Sequence, residues 1–292
     1  FMAGSEQQDR DIHNLLEKTP THLRLTAAED AQGWRTLRSW GLPEGARFVC
    51  LMVRDSAFLP ELAYHAYRDA DVDTYAEACN ELAQHGYYVF RMGAKVAKPF
   101  HVKHPRIFDY ATNGMRSEFM DVWLAKHCAF TVTNSTGWDA LAIAFRRPIC
   151  YTNFVPLEYL STFWSGSLAV WKHHIKDRNR MTLAEIYASG AGHFMAAQQF
   201  ADAGITLLDN TPKEIASVVT QMSDEIAARM PYVPTIWQSE FWRDFPRSLS
   251  LYNGAPLHGE IRIRIGTEFL RGYQRCICGE GPEGYFPCPV HK

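Results

Sequence analysis

The 292-residue chain is 47% hydrophobic and 21% charged, a balance that fits a globular protein with a substantial core and excludes a disordered or fibrous chain. A formal net charge of -2 with no long Lys/Arg block argues against nucleic acid as a partner. No apolar run approaches the roughly 20 residues that span a bilayer, and the opening FMAGSEQQDR, lacking a positive region followed by an apolar core, reads as an appended stretch rather than a signal peptide.

Residues 1–45 form a leader with an amphipathic piece around Trp34, Leu37 and Trp40, ended by the turn Gly41-Leu42-Pro43-Glu44-Gly45. The run Phe-Val-Cys-Leu-Met-Val at 48–53 predicts a strand covered on both faces, as in a parallel sheet. Tyr75, Ala78, Cys79 and Leu82 keep one helical face, Gly86 ends that helix, and 87–92 predicts the next strand. Ser117 suits the N-cap of a helix carrying Met120, Trp123, Leu124 and Cys128, before a strand at 129–133. A helix over 139–146 and a short strand at 148–152 follow, then a strand at 205–208. Thr211-Pro212-Lys213-Glu214 is a capping box opening a helix whose buried face runs through Ile215, Val218, Val219, Met222 and Ile226.

Strands alternating with amphipathic helices predict an α/β protein with a doubly wound parallel sheet, Rossmann-like, over 46–230. Beyond it, 231–275 is expected to pack back as irregular segments, and 276–292 is a Cys-rich tail. Cys50, Cys79, Cys128 and Cys150, among apolar residues, read as buried thiols of a reducing cytosol.

Ligands of such sheets bind beyond the carboxyl ends of the strands, where four polar groups are predicted to meet. Arg54-Asp55 offers a guanidinium for a diphosphate and a carboxylate to orient it or act as a base, or else a structural ion pair. Arg91-Met92-Gly93 adds charge and a close backbone approach. Asn134-Ser135-Thr136-Gly137 leaves a strand and opens a helix, so amides, hydroxyls and helix dipole face one point, suiting a phosphate; a capped helix without a ligand looks the same. Thr152-Asn153, ahead of Pro156-Leu157-Glu158, places an amide to read a sugar hydroxyl or a base, or makes a plain turn.

Asp109 and Tyr110 are secondary candidates, and Asp121 complements a helix start. Neither GxxxxGK[ST] nor GxGxxG is present, which disfavours a hydrolysed triphosphate or a dinucleotide. His101, His104, His173 and His174 lack HExxH spacing and read as solvated or core histidines.

The stretches WRTLRSWGLPEGARFVCLMVRDSAFLPE, YHAYRDADVDTYAEACNELAQHGYYVFRMG, FDYATNGMRSEFMDVWLAKHCAFTVTNSTGWDALAIAFRRPICYTNFVP, LLDNTPKEI, QSEFWRDFP and LHGEIRIRIGTEFLRG resemble bacterial glycosyltransferases associated with surface-polysaccharide synthesis. The resemblance implies the C-terminal, nucleotide-sugar-binding half of a GT-B enzyme, with Arg54, Arg91, Asn134, Ser135, Thr136, Gly137 and Asn153 in the matching motifs. It implies transfer without a catalytic cofactor, with positive side chains and the helix start stabilising the departing diphosphate; activating the acceptor needs a carboxylate or a histidine, for which Asp55 is the candidate. The expected acceptor is a glycan or a lipid-linked sugar, and the expected location is the cytoplasm, peripherally at the inner membrane. The leader is too short for a second Rossmann domain, so the other half of the cleft is expected from a partner subunit, a second copy or a longer chain. A non-catalytic nucleotide-sugar-binding module and a polysaccharide pyruvyl transferase are the alternatives. Separately, Cys276, Cys278, Cys288 and His291 offer three thiolates and an imidazole for a closed structural zinc site.

Overall fold

A computed structural model describes residues 10–228, 234–246 and 256–278. Its strands are β1 (Phe48–Met52), β2 (Tyr88–Arg91), β3 (Ile107–Phe108), β4 (Thr131–Thr133), β5 (Ile149–Phe154), β6 (Leu168–Trp171), β7 (His173–Lys176), β8 (Asn179–Arg180), β9 (Ile205–Leu208) and β10 (Arg264–Ile265). The helices are α1 (Leu15–Lys18), α2 (Ala27–Ser39), α3 (Ala76–Gln84), α4 (Glu118–His127), α5 (Asp139–Ala144), α6 (Leu183–Ala188), α7 (Ala197–Asp202), α8 (Pro212–Ala228), α9 (Ile236–Asp244) and α10 (Thr267–Cys278).

Seven strands make one all-parallel sheet in the order β10-β6-β5-β4-β1-β2-β3. From β1 the chain steps outward through β2 to β3, returns to β4 on the other side of β1, and then steps the opposite way. The fold is therefore Rossmann-like α/β, with its reversal between β1 and β4.

Strand β1 shows why a continuous apolar run suits this position. Phe48 and Cys50 face a cluster with Trp123 and Leu124 of α4, while Val49 and Leu51 face the opposite cluster with Cys79 and Leu82 of α3. Successive side chains of a strand alternate between faces, so both sets must be apolar when both faces are covered. Helix caps follow the local sequence. Ser117 accepts from the Met120 N–H, and Thr211 and Glu214 form the reciprocal box at the start of α8. All four internal cysteines are buried and free.

Two expectations are corrected. Strand β9 does not extend the parallel sheet; it pairs antiparallel with β7 in a small sheet ordered β8-β7-β9. Only Ile205 of its four residues is buried, which fits one covered face rather than two. The sixth parallel strand is β6, Leu-Ala-Val-Trp, buried throughout. The described segments 234–246 and 256–278 are not all irregular: β10 joins the sheet edge beside β6, and Phe241 of α9 and Phe269 of α10 pack on Trp171 at ring-centroid distances of 5.3 and 4.6 Å.

Candidate functional site

The carboxyl ends of β1 and β4 are joined by the Asn134 side chain. Its Oδ1 accepts from the Arg54 N–H at 2.7 Å, and its Nδ2 donates to the Arg68 carbonyl at 2.8 Å. Asn134 is only 1% exposed, so it braces the crevice rather than facing it. Its position brings in a residue that the sequence did not single out. The Arg68 guanidinium donates to the Ser135 carbonyl and lies 3.4 Å from the Ser135 hydroxyl. Ser135 itself has φ +69°, a left-handed conformation that costs an L residue about 1–2 kcal/mol and here turns the backbone beneath Arg68.

Arg54 lies in the same place. Its Nε is 3.1 Å from Asp69 Oδ1 without hydrogen-bond alignment, and Ser56 bonds the other oxygen of Asp69. The buried atoms Arg68 Nε, His65 Nδ1 and Tyr67 Oη also have no partner. Buried polar atoms without a hydrogen-bond partner also occur elsewhere among the described residues, so what distinguishes the segment 54–69 is its two guanidiniums at the reversal of strand order. Arg54 acts on the ionisation of both His65 and Arg68, so two cations share this small volume.

The Asn134–Gly137 turn differs from the expected open anion seat. α5 is only six residues long, and the Thr136 N–H donates to Asp139 Oδ2 at 2.9 Å, with the Thr136 hydroxyl 3.2 Å from Oδ1. The chain's own carboxylate holds the amide that a phosphate would take. Gly137 is exposed, with open space where a side chain would project.

Burial lifts the Asp139 carboxyl to about 6, against the opposing pull of hydrogen bonds from Thr136 and Thr133 and the charge of Arg68. Between its ordinary value of 3.8 and about 6, the folded protein keeps a proton that the unfolded chain has lost. This group's contribution to stability therefore falls as pH rises through that window. Asp139→Asn is expected to flatten that limb of a denaturation series; equal slopes for both proteins would remove Asp139 as its source.

Other predicted residues turn inward. Asp55 is occupied by backbone, accepting from Ala57 N at 2.9 Å and Ala97 N at 2.8 Å, which clips two loops together instead of leaving a base free. Arg91 is 0% exposed, paired with Asp109 at 3.1 Å and with the Lys98 carbonyl at 3.3 Å, so it is not presented to a phosphate. Gly93 is close-packed rather than open, since a Cβ there would meet Val96 at 2.5 Å. Tyr110 is buried under Trp40, its hydroxyl on the Ser117 carbonyl. Asn153, also 0% exposed, exchanges backbone and amide hydrogen bonds with Asn210 at 2.6 and 2.5 Å and donates to Tyr75 Oη.

Of the histidines, His173 pairs with Glu214, and burial lowers His174 to about 4. Asp121 pairs with Arg116.

No family model and no curated protein matches the chain. Among solved structures it is similar to the glycosyl transferase family 9 protein from Veillonella parvula DSM 2008, with a TM-score of 0.41 and 9% identity. The match covers 73% of this chain and 56% of that one, so the chain spans little more than half of its length. A likeness this distant carries no argument about activity.

Among the described residues, no group of three or more His, Cys, Asp or Glu side chains could hold a metal, and no helix is long and apolar enough to cross a membrane. Cys276 and Cys278 fall in the last turn of α10, while Cys288 and His291 lie outside the described residues, and with them the expected zinc site.

Proposed function

We propose that this protein is the donor-binding half of a GT-B-type glycosyltransferase that moves a sugar from a nucleotide-sugar donor during bacterial surface-glycan synthesis. The observation that carries this reading is the pair of guanidiniums, Arg54 and Arg68, beside the Ser135–Gly137 turn at the reversal of strand order. Open α/β sheets bind ligands at that point, and planar guanidiniums match the oxygens of a diphosphate. The segments resembling surface-polysaccharide glycosyltransferases include both Arg54 and the 134–137 turn.

In this reading Arg54 and Arg68 neutralise the diphosphate as it departs with the electrons of the glycosidic bond, which is the role of prearranged positive charge in a transfer reaction. The open position above Gly137 lets the diphosphate approach the backbone. Phe58, Leu59 and Tyr64, on the segment bearing the arginines, are exposed, as is Met195 beside His65. This apolar rim suits the lipid part of a lipid-linked acceptor or the facing surface of the second half of the cleft.

The test is thermal unfolding and calorimetry of the whole chain with UDP-glucose, GDP-mannose, ADP-glucose, CMP-sialic acid and phosphoenolpyruvate. Ligand at a hundred times Kd stabilises the folded state by about 2.7 kcal/mol, so a true donor is expected to raise the unfolding temperature measurably. No response to any nucleotide sugar would overturn the reading. A response to phosphoenolpyruvate alone would move the assignment to pyruvyl transfer.

A further inference from the structure

Two residues that the donor reading leaves unused meet at the same edge of the sheet. Glu158 lies in the turn Leu157–Tyr159 after β5, and His193 in the turn Ala191–His193. His193 Nδ1 is 3.1 Å from Glu158 Oε2. The two differ sharply in exposure: the Glu158 side chain is 3% exposed and that of His193 is 55% exposed. The carboxylate is thus held inside while the imidazole is more than half exposed, and its Nε2 has no hydrogen-bond partner among the described residues.

The pairing is built into the fold. A Cβ at residue 192 would lie 2.4 Å from Glu158 Oε1, so only glycine allows the carboxylate to pack beneath this turn. The backbone of Glu158 is fixed as well, its carbonyl accepting from His258 Nε2 at 2.9 Å. The turn also abuts the arginine cluster. Tyr67 shares an apolar cluster with Val155 and Ala191, and His65 interacts with the Met195 backbone.

We infer that His193, oriented by Glu158, is the general base that activates the acceptor hydroxyl, an inference that rests on the donor-site reading above. Accepting the Nδ1 proton fixes the tautomer in which Nε2 carries the lone pair, the arrangement by which a carboxylate prepares a histidine for proton abstraction. Nε2 takes the hydroxyl proton as the acceptor oxygen forms its bond to the anomeric carbon. The bond from that carbon to the diphosphate breaks, and its electron pair leaves with the nucleoside diphosphate beside Arg54 and Arg68. A single displacement of this kind inverts the configuration at the anomeric carbon. Asp55 cannot fill the role, since each of its oxygens accepts from a backbone amide.

The test separates binding from turnover, using whichever nucleotide sugar binds in the panel above, with water as the acceptor and hydrolysis as the readout. His193→Ala is expected to keep a donor Kd within about twofold while kcat falls about 10²–10⁴-fold, the usual contribution of a positioned base, with thermal unfolding as the control because the change leaves the buried Glu158 carboxylate without its partner. Added imidazole is expected to restore part of the rate in His193→Gly. Glu158→Gln is expected to lower kcat without changing donor KM and to shift the His193 ring nitrogens in NMR spectra. If wild-type protein binds no nucleotide sugar, the donor reading fails and this inference falls with it. A donor that binds without any turnover, or a His193→Ala variant that turns over normally, overturns the base assignment and leaves the donor site standing.

Discussion

Arg68→Met is expected to weaken nucleoside-diphosphate binding by roughly 10- to 150-fold. Hydrogen bonds to charged groups contribute about 1.5–3 kcal/mol each, and every 1.4 kcal/mol is about tenfold in affinity. Arg68 presents an unpartnered Nε beside a second cation, Arg54, so an incoming dianion both completes its bonding and relieves the mutual repulsion. Arg68→Lys is expected to recover only part of the loss, because an ammonium cannot reproduce the two-pronged geometry. Calorimetry at two salt concentrations reads the effect, with thermal unfolding as the control, because Arg68 also holds the Ser135 turn. A folded Arg68→Met protein with wild-type affinity would take the diphosphate away from the switch point.

Asp109→Ala is expected to remove about 3–5 kcal/mol of folding stability, the usual consequence of leaving one member of a buried ion pair without its partner. Arg91 would be stranded at 0% exposure, and the Phe100 N–H, which donates to Asp109 at 2.8 Å, would lose its acceptor. Replacing both partners with apolar residues, Arg91→Met with Asp109→Leu, is expected to cost less than Asp109→Ala alone, since no charge remains buried. Urea denaturation of the three proteins decides the matter. A loss below about 1 kcal/mol for Asp109→Ala would show that Arg91 reaches another partner or water, and would reopen its expected role at the phosphates.

Arg91 and Arg54 show where reading along the chain succeeds and where it stops. Both are arginines at or just beyond the end of an apolar run, and both fall at the sheet edge where the strand pattern puts them. Their neighbours separate them. The loop after β2 folds back so that Asp109 and the Lys98 carbonyl enclose Arg91, whereas the loop after β1 leaves Arg54 18% exposed. The same holds for the two asparagines. Asn134 and Asn153 each follow a β-type sequence, and each is consumed by a contact from a distant segment, Arg68 in one case and Asn210 in the other.

Arg68, His193 and Glu158 carry no local signature that distinguishes them from surface charges. Arg68 closes a 3₁₀ segment and the other two lie in 3₁₀ turns, where no strand or helix period constrains the side chain. Only the Glu158 neighbourhood offered a hint, its position shortly after a buried strand.

The alternation of β1, α3, β2, α4, β4, α5 and β5, the doubly covered β1 and the caps of α4 and α8 were determined by the sequence alone, because alternation, apolar periodicity and capping are interactions between residues a few positions apart. The place of β9 in a second sheet, the partners of Arg54 and Arg91, and the meeting of Glu158 with His193 were decided only in three dimensions. Each depends on a contact between segments dozens of residues apart, whose geometry is set by how the whole sheet and its loops pack.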